Sequence, residues 1–131
     1  MTEYKKGTVV LVLFPNSDLV TAKRRPAVVV QADELHTGLE QVIVSMITSN
    51  LSRDGHPSRI RVNKDSDEGK KAGLLTDSII MTDNLTTIRF LEIERTIGAL
   101  SDMDIINNAL KTTLGLKTSQ NKGGCKMGIE V

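Results

Sequence analysis

Residues Lys23–Asp33, KRRPAVVVQAD, set three consecutive cations and a proline in front of an unbroken apolar run. The run PAVVVQA, Pro26–Ala32, reads as a buried strand, because β-branched valines fit a pleated surface and no helical period is present. Pro26 is tolerated at the first residue, which need not donate to the ladder. The residue before a proline is biased to extended geometry. Arg25 is therefore expected to stand straight at the strand mouth, with Lys23 and Arg24 on the loop before it.

The neighbouring segments repeat the pattern. Gly7 leads into TVVLVLF, Thr8–Phe14, a strand of the same kind, and PNSDLVTAKR between the two carries Pro15, Asn16, Ser17 and Asp18 as turn chemistry. DELHTGLEQ reads as a loop or one short helical turn, VIVSMIT (Val42–Thr48) as a third strand, and SNLSRDGHPS as a turn-rich connection. RIRV, Arg59–Val62, alternates charge and apolar as a half-exposed strand does. NKDSDEGKKAG is a charged loop or short helical turn, LLTDSIIM gives another strand, TTIR (Thr86–Arg89) one more, and ERTIGAL (Glu94–Leu100) a last short one.

The clearest helix is SDMDIINNALKTTLGL. Ser101 can cap it, with Asp102 and Asp104 at its positive end. Met103, Ile106, Leu110 and Thr113/Leu114 fall on one face, and Gly115 is a plausible stop. KTSQNKGGCKMGIEV has no period and reads as a flexible tail. The expected organisation is one domain over residues 1–116 and a tail over 117–131. Strands followed by a single helix suggest an α+β domain, mainly β, built on a small antiparallel or partly open barrel.

Composition narrows the function classes. A chain of 131 residues fits one domain, and 25% charged with 39% hydrophobic residues is an ordinary globular balance. Net charge is only +1, so a polyanion site must come from local clustering rather than a basic coat. One tyrosine and two phenylalanines are too few for a platform that stacks successive bases. No apolar run approaches the roughly 20 residues of a membrane span, so no membrane association is expected. MTEYKKGTVV lacks the apolar run of a signal peptide. The lone Cys125 suits a reducing cytosol and leaves no internal disulfide.

Candidate catalysts are few. His36 and His56 lie far apart and no Cys/His spacing resembles a zinc site, so no metal and no cofactor is expected. The DSDE run, Asp65–Glu68, lacks the alternation of a calcium loop. Cys125 has no base to activate it in the tail. The two histidines could form an acid/base pair, against the simpler reading of exposed loop residues. The cation cluster can hold a phosphate, because a guanidinium is planar, permanently charged and forked, and Pro26 presets the backbone of Arg25. A solubilising loop is the competing reading. Thr48, Ser49 and Asn50 gather hydrogen-bonding groups where the third strand stops. Arg53, Arg59, Arg61 and Lys64 beyond it could line a groove for an anionic chain, or one exposed ribbon face.

These residues together resemble the MazF/PemK family of toxin endoribonucleases from type II toxin–antitoxin modules. The resemblance rests on KGTVVLVLFP, the Arg-Pro pair of RRPAVVVQ, the threonine-ended VSMITSN, LLTDSIIMTDNLTTI and the C-terminal helix, and runs from about Lys6 to Leu116. It implies a strongly curved SH3-like, CcdB-like barrel forming a homodimer. It implies metal-independent, sequence-selective cleavage of single-stranded RNA (mRNA), in which the 2′-hydroxyl attacks its own phosphate. The products are a 2′,3′-cyclic phosphate and a 5′-hydroxyl. Arg25 and Thr48 would be catalytic, with Arg25 stabilising the phosphorane electrostatically because a guanidinium is a poor base. Asp18, Lys23, Arg24, Ser49, Asn50, Arg53 and Asn84 would contact RNA. Asp18 is the one acid in a first loop where many members carry Ser-Glu-Gln. A cognate antitoxin would cover the groove. A gyrase poison of CcdB type is the non-enzymatic alternative, opposed by the absence of tryptophan. A catalytically silent binding barrel is the other.

Overall fold

The β-branched runs become the strands of one sheet in the computed structural model, which describes residues 4–15, 18 and 20–117. They are β1 (Thr8–Pro15), β2 (Ala22–Val29), β3 (Gln41–Thr48), β4 (Arg59–Val62), β5 (Ser78–Arg89) and β6 (Ile93–Ala99). The helices are α1 (Asp67–Ala72) and α2 (Met103–Leu114). The sheet runs β4-β5-β3-β2-β1-β6, with every neighbouring pair antiparallel.

Closure follows from one short link. β5 and β6 have β3, β2 and β1 between them in the sheet, yet only the 3₁₀ turn Phe90–Glu92 joins them in sequence. The sheet must therefore curl until its flanks approach. Its inner face holds Val10, Val12, Ala27, Val29, Val42, Val44, Met46, Ile88 and Ile93. Tyr4 and Phe90 pack against this core, edge to face, with ring centroids 5.1 Å apart. The outer face presents Val9, Val28, Ile47 and Ile80, which share a second core with Ala72 of α1, with Ile106 of α2 and with Leu100 between β6 and α2.

A bulge reconciles the two cores. Ser45 pairs with Leu85 but the next residue, Met46, pairs with Met81. Three residues, Thr82, Asp83 and Asn84, are thus extra on β5. An odd insertion swaps which side chains face inward. Ile80 and Ile88, which simple alternation would put on one face, accordingly enter different cores. The expected pair of strands, LLTDSIIM and TTIR, is in fact this single bulged strand, and Leu74–Asp77 precede it. TDNL reads as a break because its polar residues occupy the bulge.

β2 also departs from expectation. It begins at Ala22, four residues before Pro26, so Lys23 and Arg24 lie inside the strand rather than on a loop, and Arg25 lies within it rather than at its mouth. They pair with Phe14, Leu13 and Val12 of β1. β3 joins only at Ala27. The cations therefore occupy a two-stranded ribbon, exposed and continuous with the sheet. Continuity of the ladder with β1 outweighs the low strand preference of charged residues. Pro26 sits at the row where the ribbon leaves the wider sheet.

The helix ends are satisfied locally. Asp102, not Ser101, caps α2, accepting from the Asp104 N–H at 3.2 Å. Ser101 instead donates its N–H to Glu68 Oε1 at 3.0 Å, and its hydroxyl to Glu68 Oε2. Gly115 closes α2 in the left-handed region, φ 70°. Ile106 and Ala109 are buried, whereas Leu114, expected on the inner face, is 54% exposed. α1 lies tight on β6: a Cβ at Gly98 would stand 2.3 Å from the Lys71 carbonyl oxygen. The expected boundary at residue 116 follows the end of α2 by two residues, and all but Lys117 of the proposed tail lies outside the described residues.

Candidate active site

The site grows from the register of three strands. β2 and β3 pair Ala27 with Met46. Two residues beyond that last paired row lie Arg25 on β2 and Thr48 on β3, where the two strands have ceased to pair. Thr48 in turn pairs with Ile79 of β5, and Arg25 with Val12 of β1. Arg25 shares the pleat of Ala27 and Val29, and Thr48 that of Met46 and Val44, all inner-face residues. Both side chains therefore sit on the inner face at one end of the barrel.

Their hydrogen-bonding states differ. Arg25 is exposed and makes no ion pair or hydrogen bond among the described residues. Thr48 Oγ1 accepts from the Asn50 N–H at 3.1 Å. That bond occupies a lone pair and leaves the hydroxyl hydrogen free to donate. Asn50 Oδ1 then accepts from the Ser52 N–H at 3.1 Å and its hydroxyl at 2.7 Å, capping the 3₁₀ turn Leu51–Arg53. Ser49 and Arg53 are exposed beside it.

The pleat divides the three cations. Lys23 lies on the Arg25 side of the ribbon. Arg24 lies on the other side, where its Nε meets Glu94 Oε1 of β6 at 2.5 Å. Structure thus separates Arg24 from the Arg25–Thr48 pair. Asp18 closes its own turn: its carboxylate accepts from the Val20 and Thr21 N–H groups at 2.9 and 3.0 Å and from the Thr21 hydroxyl. Those bonds, led by the Thr21 N–H, hold its pKa below the ordinary carboxylate value. Asn84 is exposed in the β5 bulge.

Two further groups escape a reading of the sequence. Glu94 could be found only by knowing that β6 lies beside β1. Arg59 is grouped by sequence with the groove cations, but Asp83 takes it: Nη2–Oδ2 is 2.7 Å and Nε–Oδ1 3.4 Å. The hydrogen bond to Asp83 raises the Arg59 pKa and, reciprocally, lowers that of Asp83. Arg61 likewise meets Asp54 and Asp77, at 3.5 and 3.7 Å. A cavity of about 330 Å³ bounded by Tyr4, Asp33, His36, Glu40 and Phe90 lies at the other end of the barrel and holds none of these residues.

A curled antiparallel sheet with one C-terminal helix, carrying an arginine and a strand-end threonine on its inner face at one end, defines a small β-barrel. The PemK-like, MazF-like toxins of type II toxin–antitoxin systems match residues 5–114, and the chain belongs to that family. Among solved structures it is similar to an endoribonuclease from a mycobacterial species, at 24% identity and TM-score 0.66 over 90% of this chain and 97% of that one. It is also similar to a mycobacterial endoribonuclease in complex with its cognate antitoxin, at 22% identity and TM-score 0.65, over 87% of this chain and 97% of the other. A MazE–MazF complex from Deinococcus radiodurans matches at 16% identity and TM-score 0.65, over 89% of this chain and 100% of that chain. At these identities the likeness is one of fold.

Proposed function

We propose that this chain is a toxin that cleaves single-stranded RNA by intramolecular transesterification. The 2′-oxygen attacks the adjacent phosphorus as its proton departs. The bond from phosphorus to the 5′-oxygen breaks, leaving a 2′,3′-cyclic phosphate and, once that oxygen is protonated, a 5′-hydroxyl. Arg25 stabilises the charge that builds on the phosphorane, a task suited to a permanently charged, unoccupied fork. Thr48 donates its hydroxyl hydrogen to a non-bridging oxygen or orients the attacking hydroxyl. Lys23, Ser49, Asn50, Arg53 and Asn84 grip the flanking nucleotides. Arg24, on the opposite pleat, contacts RNA only from the ribbon's outer side, and Asp18 serves through the shape of its turn. The observation that supports this reading is the pleat of β2 and β3, which puts Arg25, unpaired among the described residues, and Thr48, whose hydroxyl hydrogen is free to donate, on the inner face at one end of the barrel.

The partner is an antitoxin whose acidic segment covers this rim and folds as it binds. The fold likeness to toxin–antitoxin complexes supports it. The active form is a homodimer in the cytoplasm, and sedimentation as a monomer at micromolar concentration would contradict the first of these.

The test is to digest a mixed single-stranded RNA pool in EDTA and map the ends. The wild type is expected to leave cyclic phosphate and 5′-hydroxyl termini. Arg25→Ala should cleave at least about a hundredfold more slowly, with its melting temperature unchanged. Dependence on a divalent ion, or full activity in the variant, would sink the mechanism.

A further inference from the structure

Arg59 and Arg61 both carry charge toward the site by sequence, but their surroundings assign Arg59 a different task. It pairs with Met81, two residues before Asp83 on the bulged β5. Asp83 grips it in a fork, and the two side chains are only 24% and 31% exposed. The remaining guanidinium nitrogen, Nη1, donates to the Arg53 carbonyl oxygen at 3.4 Å. That carbonyl belongs to the last residue of the 3₁₀ turn. The other end of the turn is stitched to Thr48 through Asn50. The turn is thus tied at one end to the candidate catalytic threonine and at the other to the bulge that carries Asn84.

The bulge itself is anchored. Thr82 is fully buried, and its N–H and hydroxyl both donate to the Ser58 carbonyl oxygen, at 3.0 and 2.6 Å. The Thr82 hydroxyl also lies 2.8 Å from that of Thr113 on α2. Ser45 Oγ donates to the Met81 carbonyl oxygen at 2.7 Å. The segment leading into β4 is held to β5 at Thr82, and Arg59 extends that hold to the turn.

We propose that Arg59 is a positioning residue, a brace held by Asp83 that fixes the turn carrying Asn50 and Arg53 beside Thr48 and so sets the fit of the RNA strand. This rests on the RNA-cleavage reading above. The brace predicts an effect opposite in sign to simple electrostatics. Replacing Asp83 by Asn removes an anion beside the site and frees Arg59. If Arg59 were a phosphate contact, RNA would bind more tightly. As a brace, Arg59 loses its anchor and the turn loosens.

The experiment compares wild type, Asp83→Asn and the milder Arg59→Lys, each first checked for an unchanged far-ultraviolet spectrum. On the RNA pool, KM should rise about tenfold in both variants while kcat stays within about twofold, since the chemistry at Arg25 is untouched and only alignment suffers. Lysine keeps the charge but lacks the fork, so it should not rescue. Hydrogen exchange at the Ser52, Arg53 and Asp54 amides should quicken about tenfold in Asp83→Asn. Tighter or equal RNA binding by Asp83→Asn, with unchanged exchange at those amides, overturns the brace. If the wild type leaves RNA intact, the cleavage reading fails, and exchange alone then decides: faster supports the brace, unchanged refutes it.

Discussion

At the scale of residues, chemistry here is assigned by partners rather than by type. Three neighbouring cations receive three situations: Arg24 is paired with Glu94, Arg25 has no ion pair among the described residues, and Lys23 stands farther out on the ribbon. The same logic governs the carboxylates. Glu68 accepts the Ser101 hydroxyl and the N–H groups of Ser101 and Asp102, so it caps α2 from α1. Its pKa is lowered, chiefly by the Ser101 hydroxyl, against the opposing effect of burial. A carboxyl that titrates lower when folded contributes stability above its unfolded pKa and loses it as pH falls through the folded one. Acid destabilisation through Glu68 should therefore begin near about pH 4 and deepen below it. Glu68→Gln should lower stability at pH 7 by about 1 kcal/mol and flatten that acid decline. Urea unfolding at pH 7, 5, 4 and 3 checks this, and an unchanged pH slope would count against the role.

At the scale of elements, the β-branched runs are legible because valine and isoleucine crowd into them, and α2 because its apolar spacing and Gly115 agree. What escapes the sequence depends on neighbours. The start of β2 is hidden because cations are poor strand formers, and only the continuing ladder to β1 makes them one. The unity of β5 is hidden because Thr82–Asn84 resemble a turn. Arg25 and Thr48 can be singled out as polar residues near strand ends. That they share one face at one end of the barrel follows from the pleat of two strands far apart in sequence, and the Arg59–Asp83 pair needs a bulge no local pattern announces. Element contacts also set tolerance. Gly98 on β6 lets α1 rest directly on the strand, with the Lys71 and Ala72 backbone inside the space a methyl would fill. Gly98→Ala should therefore cost about 3 kcal/mol, read as a shift of the denaturant midpoint, because backbone cannot yield as a side chain does. A shift below experimental error would mean that α1 moves freely.

For the whole molecule, charge is nearly balanced, with 17 cations against 16 anions. Ion pairing sharpens that balance around the rim: Arg24, Arg59 and Arg61 each hold a carboxylate. Lys23, Arg25 and Arg53 take part in no ion pair among the described residues. RNA affinity should consequently be only modestly salt-sensitive. Three phosphate contacts correspond to a slope near about −2 in a plot of log affinity against log salt, from roughly −0.7 per contact on a single strand. Filter binding between 50 and 200 mM salt, taken on Arg25→Ala and wild type, would show it. A slope several units steeper would mean that the paired arginines release their partners to bind RNA.

The bulge at Thr82–Asn84 has a consequence for how this barrel can change. The half of β5 before it belongs with β4, the 3₁₀ turn and α2, and the half after it leads into barrel closure through Phe90–Glu92. Because three extra residues exchange the faces there, the two halves keep separate accounts of what points inward. A replacement segment between β3 and β4, longer or shorter, can therefore be seated against the first half while Ile88 and Ile93 go on closing the barrel. Substrate preference can drift on one side of that joint while the frame that holds Arg25 stays in register on the other.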